Sequence, residues 1–472
     1  MIKRPKTKIV ATIGPACNSP EILKDMMMAG MNVARLNLSH GDINQHRQHI
    51  RLIRKVASDT GSNIAIMVDT KGIEIRTRSL QDGSVVLEPE SEFILYADER
   101  VGNQKGVSIS YPELCNYVPA GTPILLDDGG IELVVQSVNG SDIVCQVIRG
   151  GTLYNAKGIN LPQTQLPLET INESTRQELS FAAENDVEYV AASFVRSAKD
   201  VKEIRAVLAE HGVDIPLIAK IENREGVDNL DEIIAASNGT MVARGDLGVE
   251  IPPESVPLAQ KKIIRSTVMN GKPVITATQM LDSMERNLRP TRAETSDVAN
   301  AILDGTSAVM LSGETAVGKY PVQAVKTMAA LALHTEASLR EYGYLQKIIP
   351  YASNIVTEAV SQAANTMALH LHVPVIVTLT ETGFSSRLIS RFRPECPIIA
   401  ITSSVKVVRT LAMNWGVIPL LYEGEPTDEA KIDFSIRKVK EMGLARDGDN
   451  VILAHGYSSK AGGTNLIRVV TI

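Results

Sequence analysis

PLIAKIE (Pro216–Glu222) is a short apolar run ending in two charged residues two apart, Lys220 and Glu222. Side chains on a strand alternate faces, so these two are expected to point the same way. Three later runs end alike: TMVARGD (Thr240–Asp246, with Arg244 and Asp246), VITATQ (Val274–Gln279, with Thr276 and Thr278) and AVMLSGE (Ala308–Glu314, with Ser312 and Glu314). Four strand ends are therefore expected to bring a lysine, carboxylates and hydroxyls to one place. Phosphoryl transfer needs that mixture: carboxylates for a divalent metal, a cation for the moving phosphate and donors for the substrate's anions.

Working outward, short β-branched runs alternate with amphipathic helical stretches from Lys8. TKIVATI (Thr7–Ile13) leads to a helix with Ser19 as cap and Pro20 at its first position. NVARLNLS (Asn32–Ser39), a helix over Ile43–Thr60 and the strand IAIMVDT (Ile64–Thr70) follow. Between Ile73 and Leu166 the texture changes to short runs punctuated by Gly, Pro, Asn and Asp, which predicts an all-β insertion. The alternation then resumes with VEYVAASFV (Val187–Val195) and the four opening runs. Three strands before the insertion and five after make a (β/α)8 TIM barrel of about 250 residues, a fold that carries chemistry at the C-terminal ends of its strands. The expected units are 1–72 plus 168–344 for the barrel, 73–167 for the β lid, and 345–472 for a C-terminal α/β domain starting with a helix near Ile349.

Composition narrows the function classes. The 472 residues are 44% apolar and only 4% aromatic, with a formal charge of −6, which disfavours base-stacking and duplex-binding surfaces. No apolar run approaches the ~18 residues of a membrane span, and the basic N-terminus leads straight into a strand. Cys17, Cys115, Cys145 and Cys396 are scattered, as buried reduced thiols of a cytoplasmic protein would be.

A local ion pair would by itself account for Lys220 and Glu222. Asp246, after Gly245 in a tight turn whose amides suit an anion, adds a second carboxylate for Mg²⁺ or Mn²⁺. Arg35, Asn37 and Ser39 fall at i, i+2 and i+4, where a barrel interior is normally Val, Ile and Leu. Arg35 suits a phosphate. Asn37 and Ser39, with Asp69 and Thr70, offer hard oxygens for a monovalent cation or a second divalent one, which the sequence does not separate. Gly313–Lys319 mimics a P-loop but has Tyr320 and Pro321 where a P-loop has Ser or Thr and continuing helix. Asp127-Asp128-Gly129 reads as a hairpin turn. His40 and Lys157 are either solvated or nucleotide-facing.

Together, TKIVATIGPA, MNVARLNLSHG, VDTKGIEIRT, KGINLP, IAKIENREG, MVARGDLGVEIP, VITATQMLDSM, RPTRAE, DVANAILDGT and VMLSGETA resemble the pyruvate kinase family along the whole chain. The resemblance implies transfer of a phosphoryl group from phosphoenolpyruvate to ADP, giving pyruvate and ATP. It implies that Glu222 and Asp246 hold Mg²⁺, that Arg35 and Lys220 contact the phosphoryl group, and that Gly245 and Asp246 amides with Thr278 bind the substrate carboxylate. Asn37, Ser39, Asp69 and Thr70 would hold K⁺, a requirement that goes with Thr70, Lys71 and Glu74. Asn37, His40, Arg76 and Lys157 would face the nucleotide beneath a closing lid. Thr278, Ser312 and Glu314 would lie near the route that protonates the enolate, while Arg244, at the alternate position, would point away. The family's usual state is a homotetramer.

Three positions depart from the family pattern: Ile73 at the lid hinge, Gln163, and Leu288 before RPTRAE. Thr378–Arg387 resembles an effector phosphate loop, with Thr380, Thr382, Gly383, Ser385, Ser386 and Arg387 as candidate donors. A sugar monophosphate or AMP would fit it, whereas Glu381 is expected to repel fructose 1,6-bisphosphate. Two rival readings are a metal-dependent barrel lyase or mutase acting on phosphoenolpyruvate or pyruvate, and a catalytically silent metabolite sensor. The first leaves the lid, Arg76 and Lys157 without a purpose, and the second leaves Lys220 without one.

Overall fold

The computed structural model describes residues 4–162, 164–345, 355–456 and 463–472. Gln163 and the start expected for the C-terminal unit near Ile349 lie outside them. Eight parallel strands close into a barrel: β1 (Lys8–Thr12), β2 (Val33–Asn37), β3 (Ala65–Asp69), β4 (Tyr189–Ala192), β5 (Leu217–Ile221), β6 (Gly239–Ala243), β7 (Val274–Ala277) and β8 (Ala308–Leu311). Their residues are almost all buried, as strands covered on both faces must be. Helix boundaries follow local chemistry. Ser19 caps Pro20–Ala29 through the Ile22 amide. Asp42 and Gln45 form a capping box for Ile43–Thr60, which Gly61 ends in the left-handed conformation.

The chain leaves the barrel after β3 for a seven-stranded sheet and a separate two-stranded one. Pro123–Leu126 and Ile131–Asn139 pair antiparallel across the predicted hairpin. Asp128 (φ 52°) and Gly129 (φ 81°) are both left-handed there, the requirement of a type I′ turn. The P-loop mimic is not one: a helix over Gly313–Ala316 ends, and another starts at Pro321.

The C-terminal unit is a five-stranded sheet, parallel except for Thr464–Thr471 against Asn450–Gly456. Its helix Val405–Leu411 and the turn after it close the N-terminal end of the barrel. Ala412 and Met413 belong to the same buried cluster as Val10, Val33, Met67 and Met241 inside the barrel. Tyr189 Oη donates to Thr410 O at 2.6 Å, and Lys8 Nζ to Val417 O at 2.7 Å. With its lower end sealed, the barrel offers ligands only the end where its strands finish. No described helix is long and apolar enough to cross a membrane.

Candidate active site

At the open end, Lys220 projects from β5 to Asp69 Oδ1 (3.1 Å), Glu222 Oε1 (2.9 Å) and Ser193 Oγ (2.6 Å). Burial opposes its charge, but Asp69 and Glu222 outweigh that and hold the ammonium above its ordinary pKa. Arg35 Nε meets Asp69 Oδ2 at 2.6 Å, and Nη1 meets Thr12 Oγ1 at 3.0 Å, leaving Nη2 without a hydrogen-bond partner among the described residues. Burial alone would raise Asp69; Arg35 and Lys220 reverse this and keep it ionised. Two cations are thus held side by side by one buried carboxylate.

Glu222 Oε2 accepts the Phe194 amide at 2.6 Å. Its Oε1 is buried and pairs with the Lys220 ammonium at 2.9 Å. Burial, reinforced by Asp246 and opposed by Lys220, pushes Glu222 up to about 7. Burial also raises Asp246 above the usual carboxylate range. Two neighbouring buried carboxylates, both raised by burial, fit a hard divalent cation, which would offset both charges and keep positions for water or substrate oxygens.

Gly245 N donates to Thr278 Oγ1 at 2.9 Å, which joins the β6 and β7 ends. Thr278 (φ 64°) and Gln279 (φ 55°) are left-handed, a strained conformation for a β-branched residue. Arg244 supports it: Nη2 donates to Thr278 O at 2.6 Å while Nη1 pairs with Asp297 at 2.7 Å. Arg244 is thus committed to the β7 end and Asp297.

The two-apart argument holds for Lys220 and Glu222 and fails for the other pairs. All four strands, β5 included, end before their second polar residue, and only Glu222 still lies beside its partner. Arg244 and Asp246 lie in the helix Arg244–Glu250. Thr276 is buried in the wall, bonded to Thr306 Oγ1 at 2.9 Å, so it does not reach the site. Ser312 precedes the short helix that contains Glu314. Both Glu314 oxygens accept amides, from Leu281 (3.0 Å) and Ser312 (2.7 Å), so it braces the β7 and β8 ends. Ser312 Oγ is buried with no hydrogen-bond partner. Ser39 is likewise past the end of β2, and its amide caps Asn37 Oδ1 at 3.2 Å.

Asn37 and Asp69 are register partners on β2 and β3. With Ser39 and Thr70 beside them they form an all-oxygen set on two adjoining strand ends, whose chemistry fits a hard cation. Thr70 Oγ1 donates to Ala191 O at 3.3 Å, and Lys71 N to Glu178 Oε2 at 3.0 Å.

A cleft of about 840 Å³ opens between this cluster and the lid, lined by His40, Thr70, Arg76, Asp127, Lys157 and Asp246 among others. The volume suits a ligand of nucleotide size. Arg76 Nε pairs with Glu74 at 2.7 Å and Lys157 with Asp127 at 2.8 Å, so both cations are retained at the rim by carboxylates. Ile73 lines the same cleft, whereas Leu288 is exposed.

In the C-terminal unit, Gly383 (φ 77°) precedes the helix Phe384–Arg391, and its amide donates to Thr380 Oγ1 at 2.9 Å. Ser386 bonds Thr378, Ser385 bonds Thr464, and Arg387 donates to Thr382 O at 3.0 Å. Glu381 pairs with Lys431 at 2.7 Å, so the charge expected to repel an anion is largely countered.

Sequence reasoning missed Thr12, Ser193 and Phe194. Each follows an apolar run without a charge to flag it; only the residue spacing of SFVR after β4 could have drawn notice.

Residues 4–325 match the family model described as pyruvate kinase, barrel domain, and residues 358–470 match pyruvate kinase, alpha/beta domain. The chain is 48% identical over 471 residues to a protein named pyruvate kinase from Geobacillus stearothermophilus, covering 99% of this chain and 80% of that one. It is 47% identical over 470 residues to one from Bacillus licheniformis, with the same coverage. With one from Clostridium perfringens it shares 45% over 473 residues, covering 99% of this chain and all of the other.

Proposed function

The chain belongs to the pyruvate kinase family and transfers the phosphoryl group of phosphoenolpyruvate to ADP, and we propose that the residues at the barrel mouth divide this work as follows. Arg35 and Lys220 receive the phosphoryl group, Arg35 through its uncommitted Nη2 and Lys220 through a charge that Asp69 and Glu222 maintain. Lys220 gains most as negative charge shifts onto the transferring oxygens, which is how a preorganised cation lowers a barrier. Gly245 and Asp246 amides with Thr278 hold the substrate carboxylate. Mg²⁺, held by Glu222 and Asp246, would neutralise phosphoryl oxygens. K⁺, held by Asn37, Ser39, Asp69 and Thr70, would add a fixed positive charge near the transfer.

Loss of the phosphoryl group leaves an enolate whose carbon must take a proton. We assign the approach to Thr278 and Ser312, with Glu314 positioning Ser312 through its amide; the orphaned Ser312 hydroxyl supports this. Asn37, His40, Arg76 and Lys157 are assigned to the nucleotide. The single observation that carries the reading is the buried set Arg35–Asp69–Lys220–Glu222, whose neighbours Thr70, Ser193 and Asp246 line a nucleotide-sized cleft. Division of the chain at 72/73, 167/168 and 344/345, a homotetramer, a cytoplasmic location and a phosphate effector at Thr380–Arg387 belong to the same proposal.

The test is a coupled assay in Na⁺- and K⁺-free buffer, with K⁺ and effectors added back. Pyruvate should form only with ADP and a divalent cation, and K⁺ should raise the rate strongly. Pyruvate release without ADP would favour the lyase reading, and full activity without K⁺ would remove the monovalent site. Fructose 1,6-bisphosphate should change the phosphoenolpyruvate half-saturation little, although the Glu381–Lys431 pair weakens the repulsion behind that expectation.

A further inference from the structure

The four residues after β4, Ser193 to Arg196, touch the phosphoryl site at one end and both segments that connect the barrel to the lid. Ser193 Oγ accepts from Lys220 at 2.6 Å and donates to Thr70 O, also at 2.6 Å. Phe194 donates its amide to Glu222 Oε2 at 2.6 Å. Its φ of 54° is costly for an aromatic residue, and its ring lies against the outgoing connection to the lid. There it meets Gly72, where an added Cβ would sit 2.7 Å from the ring.

Arg196 holds the returning connection. Its Nη2 donates to Leu168 O at 2.6 Å and its Nη1 to Leu166 O at 3.1 Å. Asp200 secures the arrangement: it accepts the Arg196 amide at 2.8 Å and the Thr170 hydroxyl at 2.6 Å. Asn229 also donates to Arg196 O at 2.9 Å. Arg196 therefore lies between a fixed loop and the segment by which the lid rejoins the barrel.

Building on the phosphotransferase reading above, we propose that Ser193–Arg196 couples the phosphoryl site to the lid, with Arg196 the positioning residue that holds the returning hinge. A shift of Glu222 or Lys220 on ligand binding pulls on Phe194 and Ser193, and the same rigid loop transmits it to Gly72 and to Leu166–Leu168. Arg196 touches no reacting atom. It borders the cleft assigned to the nucleotide, but both its Nη atoms are committed to hinge carbonyls, so its removal should free the lid from the state of the site and leave the phosphoenolpyruvate contacts in place. Hinge residues characteristically change kcat and KM together.

The experiment compares full-length wild type, Arg196→Gln and Arg196→Lys by two readouts. One is steady-state kinetics with each substrate. The other is hydrogen–deuterium exchange of peptides covering residues 164–170, with and without Mg²⁺, phosphoenolpyruvate and ADP. Arg196→Gln should raise the KM for ADP and lower kcat by roughly tenfold each, with the KM for phosphoenolpyruvate changed by no more than about twofold. Ligand-induced protection of 164–170 should disappear. Arg196→Lys, which reaches one carbonyl in place of two, should fall between. Wild-type ADP kinetics together with intact protection in Arg196→Gln overturns the proposal. Should Arg196→Gln fail to fold, wild-type behaviour of Arg196→Lys on both readouts overturns it equally. Absence of ADP-dependent pyruvate formation in the wild type would instead refute the phosphotransferase reading itself.

Discussion

Lys220 keeps its charge in a place where burial alone would remove it, because Asp69 and Glu222 lie within 3.1 Å and 2.9 Å. Lys220→Met should therefore cut kcat by roughly 100- to 1,000-fold, the usual loss for one preorganised charge at a transition state. Calorimetry should find phosphoenolpyruvate binding largely retained, and an unchanged kcat would remove Lys220 from the mechanism. Lys8 is the opposite case. Burial at the closed end of the barrel, with Arg4 adding to it and Glu336 opposing, lowers it from 10.5 to about 8. Between those values the unfolded chain binds the extra proton and the native one does not, so this residue makes stability rise with pH. Below about 8 the native ammonium is charged too, and the contribution stops changing. Lys8→Met should remove that rise. Denaturant midpoints of both proteins from pH 7 to 10.5 check it, and parallel curves would contradict the buried lysine.

At the scale of elements, the lesson lies where strands stop. Short β-branched apolar runs between amphipathic stretches located the barrel strands, and the strand's period of two was used only to place the polar residues at their ends. Past a strand's end that period is no longer imposed: Glu222, one residue beyond β5, stays beside Lys220, whereas Asp246, Thr278 and Glu314 were reached through a helix, a left-handed kink and a second helix. Thr276 obeyed the strand and was turned into the wall. The hinge offers a direct test of such local geometry. Gly72 (φ 71°) and Gly61 (φ 62°) are both left-handed, but only Gly72 faces a neighbour, Phe194 Cδ2 at 2.7 Å from an added Cβ. Gly61→Ala should lose about 1–2 kcal/mol from backbone strain alone. Gly72→Ala should lose more and should also impair ADP use, as urea midpoints and KM for ADP would reveal; equal losses would mean that Phe194 gives way freely.

At the scale of the whole molecule, the C-terminal unit forms part of the barrel's floor. Met413 is fully buried in the barrel's inner cluster, beneath strands that carry Arg35 and Lys220 at their other ends. Met413→Ala should destabilise the protein by about 2–5 kcal/mol, the range for deleting a large core side chain. A single cooperative loss in thermal unfolding is expected, because the cavity spans both units; a lowered transition confined to the C-terminal unit would argue against a shared floor. The sequence by itself determined the eight strands, the β insertion, the helix caps and the charged residues of the site, since periodicity, turn chemistry and capping act over a few neighbouring residues. Only the tertiary structure decided which polar groups meet. Asp69 between Arg35 and Lys220, Arg196 on the returning hinge and Met413 inside the barrel all join segments far apart in the chain, and such contacts exist only once those segments are packed.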